Sequence, residues 1–158
     1  MIKVIDNFLE DTIFNVIKNL VSNIQWSYID HKVNPWDNHY QLIHTFYDNA
    51  KPNNSIELIN PIVNKLNAQA IIRIKANLTF KSETIEQYNM HRDIDDCLND
   101  QKTAIYYLNT NNGKTIFENG EEVSSVENRI VIFPGKLKHS GTTHTDTKYR
   151  LLINFNYF

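Results

Sequence analysis

What this chain has little of narrows the reading at once. Cys97 is the only cysteine in 158 residues, which forbids an internal disulfide and a thiolate metal cluster and fits a reducing compartment. Any metal must then be held by histidines and carboxylates. Four glycines and four prolines are too few for a collagenous or disordered chain. No Pro/Gly/Ser linker, repeat or low-complexity tract divides the sequence. No apolar run approaches the roughly 20 residues that cross a bilayer, and the first nine residues lack the basic and apolar regions of a secretory signal. The expectation is a soluble, cytoplasmic protein with no membrane partner, lying in the host cytoplasm if the chain is viral. Excess charge is missing too. With a net charge of −2, a pI near 6.3 and scattered basic residues, no electrostatic footprint exists for a polyanion, and nucleic acid is disfavoured as a partner.

What remains is an ordinary globular composition, 41% hydrophobic and 22% charged, in a chain long enough for one core and too short for two domains. We expect a single domain over 1–158, with 1–70 as helical support and 71–158 as the core. The 22 Asn and 20 Ile are a bias that AT-rich codon usage produces without selection on the protein. Ile13, Val16, Ile17, Leu20 and Val21 recur at three- and four-residue spacing and predict an amphipathic helix, with Asp11 or Thr12 as its cap. A second helix is expected over Ser55 to Leu66, kinked or restarted by Pro61. Between them, Trp26 to Asp48 is aromatic without a clean period, fits one or two edge strands, and offers Trp36, Tyr40, Phe46 and Tyr47 as pocket-lining groups.

From Ile71 the period changes to two. Strands are expected at about 71–80, 84–90, 102–109, 114–118, 121–126, 129–133, 137–142 and 148–157, with turns such as Asn112-Gly113, Asn119-Gly120 and Pro134-Gly135 between them. Short strands at this spacing with no interleaved helices predict a mainly β protein, a double-sheet jelly roll (double-stranded β-helix) with N-terminal helices laid on one sheet.

The chemistry-bearing residues lie in this second part. In His91-Arg92-Asp93 an extended backbone projects His91 and Asp93 to one face. His139 follows 48 residues later, beyond Pro134-Gly135, and Arg150 comes 11 residues after that. In the last strand the alternation places Arg150, Leu152, Asn154 and Asn156 on one face, and Leu151, Ile153, Phe155 and Tyr157 on the other. Two histidines and one carboxylate on the strands of a small barrel form a facial triad that suits Fe(II) and leaves adjacent positions open. An arginine nearby can grip a carboxylate through two parallel hydrogen bonds.

With these residues in order, the sequence resembles the Fe(II)/2-oxoglutarate-dependent dioxygenases, in the prolyl-hydroxylase-like branch that includes small phage and marine microbial proteins. The resemblance spans nearly the whole chain, from Val4-Ile-Asp-Asn-Phe-Leu9 through Ile72 to Leu78 and Phe133-Pro134-Gly135. It implies His91, Asp93 and His139 as iron ligands and catalytic centre, Arg150 with Asn77 as the 2-oxoglutarate site, and dioxygen as the third reactant. The implied activity is hydroxylation of a C–H bond in a protein side chain, an amino acid or a small metabolite. Two departures stand out. Thr79 replaces the tyrosine of an Asn-x-Tyr pair, with Tyr88, Tyr106 or Tyr107 as substitutes, and Leu152 stands where relatives carry Ser or Thr. Both bear on co-substrate affinity.

The rival histidine is His144, and the rival carboxylates are Asp95 and Asp96, with Asp95 sharing the face of Asp93 if the strand runs on. His31, His39 and His44 read as surface or satisfied core residues, and Cys97 as a small buried or loop residue. Arg73 and Lys75 share a face with Asn77 and Thr79 and receive no role. The alternatives are an alkylated-nucleobase demethylase, which the acidic balance disfavours, and a catalytically silent jelly-roll module. Oligomeric state is not legible.

Overall fold

Two long strands organise the molecule. In the computed structural model, which describes residues 1–33, 36 and 39–158, β5 (Ile71–Phe80) and β11 (Tyr149–Tyr157) pair antiparallel from Tyr149 opposite Phe80 to Asn156 opposite Arg73 before the register shifts. Around them lie β1 (Lys3–Ile5), α1 (Asp11–Ser22), β2 (Ser27–Ile29), β3 (Gln41–Asp48), β4 (Lys51–Pro52), a 3-10 turn (Ile56–Ile59) and α2 (Asn60–Leu66). Then follow β6 (Lys102–Tyr107), β7 (Lys114–Phe117), β8 (Glu122–Ser124), β9 (Arg129–Pro134) and β10 (His139–Gly141). The main sheet runs β1-β9-β6-β11-β5-β3-β2 with β4 on β3, and a smaller sheet runs β10-β7-β8. This is the double-sheet jelly roll expected from the strand spacing.

Period-two alternation sorts the side chains into two layers. One face of the main sheet presents Ile74, Ala76, Ala104, Tyr106, Leu151, Ile153 and Phe155 to the helices, where Phe14, Ile17, Val21, Ile59 and Ile62 close the core. The opposite face presents Ile105, Tyr107, Val131, Phe133 and Leu152 to Phe117 and Val123 of the small sheet. The inter-sheet apolar cluster is the smaller, and polar residues of β5 and β11 occupy the rest of that space.

Several boundaries differ from the sequence reading. Residues 1–70 are more than helical support, since β1 to β4 all join the main sheet. Nor is β3 an edge: it lies between β2 and β5. The first helix begins as expected but carries no side-chain cap, with Glu10 at the N-cap position. Pro61 restarts rather than kinks the second helical segment, entering at the first turn of α2, where its missing N–H costs nothing. Phe46 is fully buried and Tyr47 packs against the same helix-side core, while Trp36 and Tyr40 are exposed; the four do not form one pocket. No helix among the described residues is long and apolar enough to cross a membrane.

The expected strand at 84–90 is the largest miss. Its residues run antiparallel to 139–143, but only as isolated bridges, Gln87 with Thr142 and His91 with His139. Four residues separate the bridged positions on one side and three on the other, so one residue is extra, as in a bulge. Side chains replace part of the ladder: the Thr143 hydroxyl accepts from Glu86 N at 2.7 Å and donates to Thr84 O at 2.7 Å. Hydrophobic alternation cannot register such a bulge.

Asn128 ties the N-terminal segment to the sheets. At φ 59° it holds a left-handed turn; its amide donates to Leu9 O at 2.8 Å and accepts from Leu9 N at 2.9 Å and Tyr106 OH at 2.7 Å. Asn128→Ala strands three buried polar groups and strains the turn, so we expect a loss on the order of 3 kcal/mol. Asn128→Gly, which relieves only the backbone, should lie between it and the parent in urea unfolding midpoints.

Candidate metal centre and its pocket

The bulge ends where the chemistry begins. His91 and His139 exchange both backbone hydrogen bonds at 2.9 Å, which brings their rings to 4.8 Å between centroids. The chain then turns, and Asp93 swings in from a bend rather than from a strand. Its Oδ1 lies 3.8 Å from His91 Nε2 and 4.0 Å from His139 Nε2. One ligand atom from each of the three residues falls within 4.8 Å of the others. Two atoms bonded at about 2.1 Å to a shared ion are at most about 4.2 Å apart, so closing this set needs movements under about 1 Å. The three residues singled out from the sequence therefore converge on one point.

Two of the three donors are oriented from behind, whereas His139 Nδ1 is buried without a hydrogen-bond partner among the described residues. His91 Nδ1 faces Asn89 O at 3.1 Å, which leaves Nε2 to face the centre. The Asp93 carboxylate is 5% exposed; its Oδ2 accepts from Asn156 Nδ2 at 3.1 Å, and the same amide group reaches Thr103 Oγ1 at 3.1 Å. That contact turns Oδ1 toward the two imidazoles and toward Arg73, 3.6 Å away. Burial works against the charged form of Asp93. His139, Arg73, His91 and the Asn156 hydrogen bond outweigh it and hold the carboxyl below its ordinary pKa. Burial depresses the His139 pKa, and His91 beside it acts the same way, which favours the neutral ring that binds metal. Arg92 faces away and donates to Lys136 O at 2.8 Å.

From the triad a narrow pocket, open to solvent at its mouth, extends between the sheets. Arg150 closes the far end. It is buried, its Nε donates to Ser125 Oγ at 2.8 Å, and its guanidinium lies 5.8 Å from the Tyr107 ring centre. No ion pair holds it among the described residues, and burial pulls its pKa down. A buried guanidinium without a counterion is costly unless a ligand supplies one. Glycine makes room for it: a Cβ on Gly113 would stand 3.0 Å from Arg150 Cδ, and one on Gly141 3.2 Å from Nη1. Asn77 lines the wall, directly across from Leu152.

Other candidates fall away. His144 is fully buried, does not line the pocket and is not among the clustered donors. The strand does not run on past Asp93, and Asp95 and Asp96 are exposed. His44 is satisfied by Gln25 O and Ser55 Oγ, both at 2.7 Å. Cys97 donates to Ile94 O. Thr79, opposite Arg150, opens on a neighbouring cleft. Of the proposed tyrosine substitutes, Tyr106 faces the helix-side core and Tyr107 bonds Thr115 behind the wall. Sequence reasoning left Lys75, Asn154, Asn156 and Thr115 without roles. The alternation of β5 and β11 had already placed the first three on the pocket face, but nothing in it says which polar face is covered.

No protein-family model matches the chain, and no curated protein matches it in sequence. Solved structures do match in fold. An oxidoreductase of the 2OG-Fe(II) oxygenase family from Burkholderia pseudomallei superposes with a TM-score of 0.72 at 11% identity, over 99% of this chain and 84% of that one. A prolyl hydroxylase from Trichoplax adhaerens, in complex with a hypoxia inducible factor peptide fragment, gives 0.69 at 17%, covering 99% and 83%. HygX from Streptomyces hygroscopicus, with nickel, 2-oxoglutarate and hygromycin B bound, gives 0.63 at 12%, covering 99% and 82%. The chain has the double-stranded β-helix fold of these oxygenases.

Because Asn156 sets the angle of the Asp93 carboxylate, Asn156→Ala should weaken Mn(II) binding about 10- to 100-fold. Metal titration of the folded variant, with its unfolding midpoint as a control, reads the effect.

Proposed function

We propose that this protein is an Fe(II)- and 2-oxoglutarate-dependent oxygenase that hydroxylates a C–H bond of a small molecule, amino acid or protein side chain. One observation carries the reading: a His-Asp-His donor set and a buried arginine with no counterion among the described residues stand at opposite ends of one pocket. A ligand that chelates metal at one end and presents a carboxylate at the other fits both. 2-Oxoglutarate has that form, and HygX, of like fold, holds it.

Fe(II) held there with 2-oxoglutarate would activate dioxygen, one atom of which would enter a C–H bond while the other would enter the succinate left when 2-oxoglutarate loses carbon dioxide. The residues of the chain do the rest. His91, Asp93 and His139 would hold the metal through one donor atom each. Arg150 grips the distal carboxylate with its planar fork, and the Asn77 amide lies along the path between the two ends. Leu152 and Ile105 line the same wall and limit water near the reacting centre. Asp93, kept ionised, offsets part of the metal charge.

Mn(II) with 2-oxoglutarate should raise the melting temperature, since ligand at 100 times its dissociation constant contributes about 2.7 kcal/mol. Asp93→Ala removes the metal-dependent part. Arg150→Lys keeps the charge without the fork and weakens 2-oxoglutarate binding while metal affinity stays close to that of the parent. Arg150→Ala weakens it further, by on the order of 2–5 kcal/mol. Succinate release without prime substrate, followed against 2-oxoglutarate concentration, gives the same ranking. A concentration dependence unchanged in Arg150→Ala would remove the arginine from the co-substrate site and, with it, the basis of the assignment.

A further inference from the structure

Once the triad and Arg150 are given their partners, two cations remain on the pocket wall. Lys32 and Lys75 both line it, and among the described lining residues the only carboxylate is Asp93, which belongs to the triad. Lys32 donates to Gln41 Oε1 at 2.9 Å and lies 5.4 Å from the Tyr88 ring centre. Lys75 is half-buried and makes no hydrogen bond or ion pair among the described residues; Asp93 and Asp48 act on it only at longer range. A metal dication, Asp93 and the two charges of 2-oxoglutarate balance with Arg150 and leave the Lys75 ammonium without an anion among the described residues. Holding a partly buried cation without an anion is costly.

The position of Lys75 sets it nearer the triad than the point where Arg150 would hold the distal carboxylate of 2-oxoglutarate. It stands on β5 opposite Asn154, next but one to Arg73 at the triad, whereas Arg150 stands opposite Thr79. Those two points on β5 are four residues apart, about 13 Å along a strand. Lys75 therefore faces the metal end of the pocket, where the oxidised molecule must sit. No described lining residue belongs to a helix, so the helix N-terminus that commonly receives phosphate is lacking here.

We propose that the molecule oxidised at this site carries a carboxylate, and that Lys75 binds it, with Lys32 adding positive charge at the wall. The substrate class is a small organic acid or acidic amino acid, not its neutral counterpart. This rests on the oxygenase reading of the site.

The test is calorimetric binding to protein loaded with Mn(II) and saturating 2-oxoglutarate, using acids paired with their amides: L-glutamate with L-glutamine, L-aspartate with L-asparagine, and 3-phenylpropionate with its amide. The parent should bind at least one acid about tenfold or more tightly than its amide, the scale of one charge-assisted hydrogen bond. Lys75→Gln should abolish the difference, and Lys75→Arg should keep it, which separates lost charge from lost folding. Equal binding of acids and amides, no binding of any acid, or a preference that survives in Lys75→Gln overturns the proposal. So does a variant in which 2-oxoglutarate affinity falls tenfold while the preference stays, since Lys75 would then serve the co-substrate. If the parent fails to bind 2-oxoglutarate with Mn(II), the oxygenase reading itself fails first, and the substrate proposal falls with it.

Discussion

Antiparallel pairing of β5 with β11 is the constraint from which the site follows. Once their register is set, period-two alternation sends every second residue of both strands to the same side of the sheet. Ile74, Ala76, Leu151, Ile153 and Phe155 are buried under the helices, and that burial fixes the register, because a slip by one residue would drive all of them into the polar layer. The polar layer is the other half of the same choice. Arg73, Lys75 and Asn77 come to face Leu152, Asn154 and Asn156 because their neighbours are apolar. The helix-side core thus determines where the pocket groups stand without touching them.

On this frame the molecule carries features that stability alone would not select. A buried guanidinium without a counterion among the described residues, a half-buried lysine, a bulged connection before His91 and a small inter-sheet cluster each make the folded state less stable than a fully apolar sandwich would be. They lie around the pocket between the sheets. Such concentration of uncompensated charge and irregular backbone is typical of places where a ligand completes the structure. Asn128 and the Asp6–Arg129 pair, with contacts at 2.5 and 3.0 Å, hold the N-terminal segment to β9 and its preceding turn, away from the pocket.

Much of the site was legible because ligand chemistry is carried by residue type and order. His91, Asp93, His139 and Arg150 stand in the order that the family resemblance implies, and a chain with one cysteine leaves few other metal donors. The helices and most strands were legible because their apolar period is clean. The strand expected at 84–90 was not, since side-chain hydrogen bonds from Thr143 replace ladder bonds there. β1 to β4 were obscured for a different reason. Short or aromatic segments become strands only when a neighbouring strand offers its edge, and local pattern does not record the neighbour.

The sequence by itself determined the two alternating strands, the amphipathic helix and the stock of donors, because these depend on residue type and on spacing within one segment. Tertiary structure alone decided that Asn156 aims the Asp93 carboxylate and that Thr79 opens on another cleft. It alone left Lys75 without an ion pair among the described residues, toward the triad end of the pocket. Those outcomes depend on which polar face is covered, and by what. Covering is settled by the packing of one sheet over another, between residues more than 60 positions apart, as with Asp93 and Asn156, for which a linear pattern has no period.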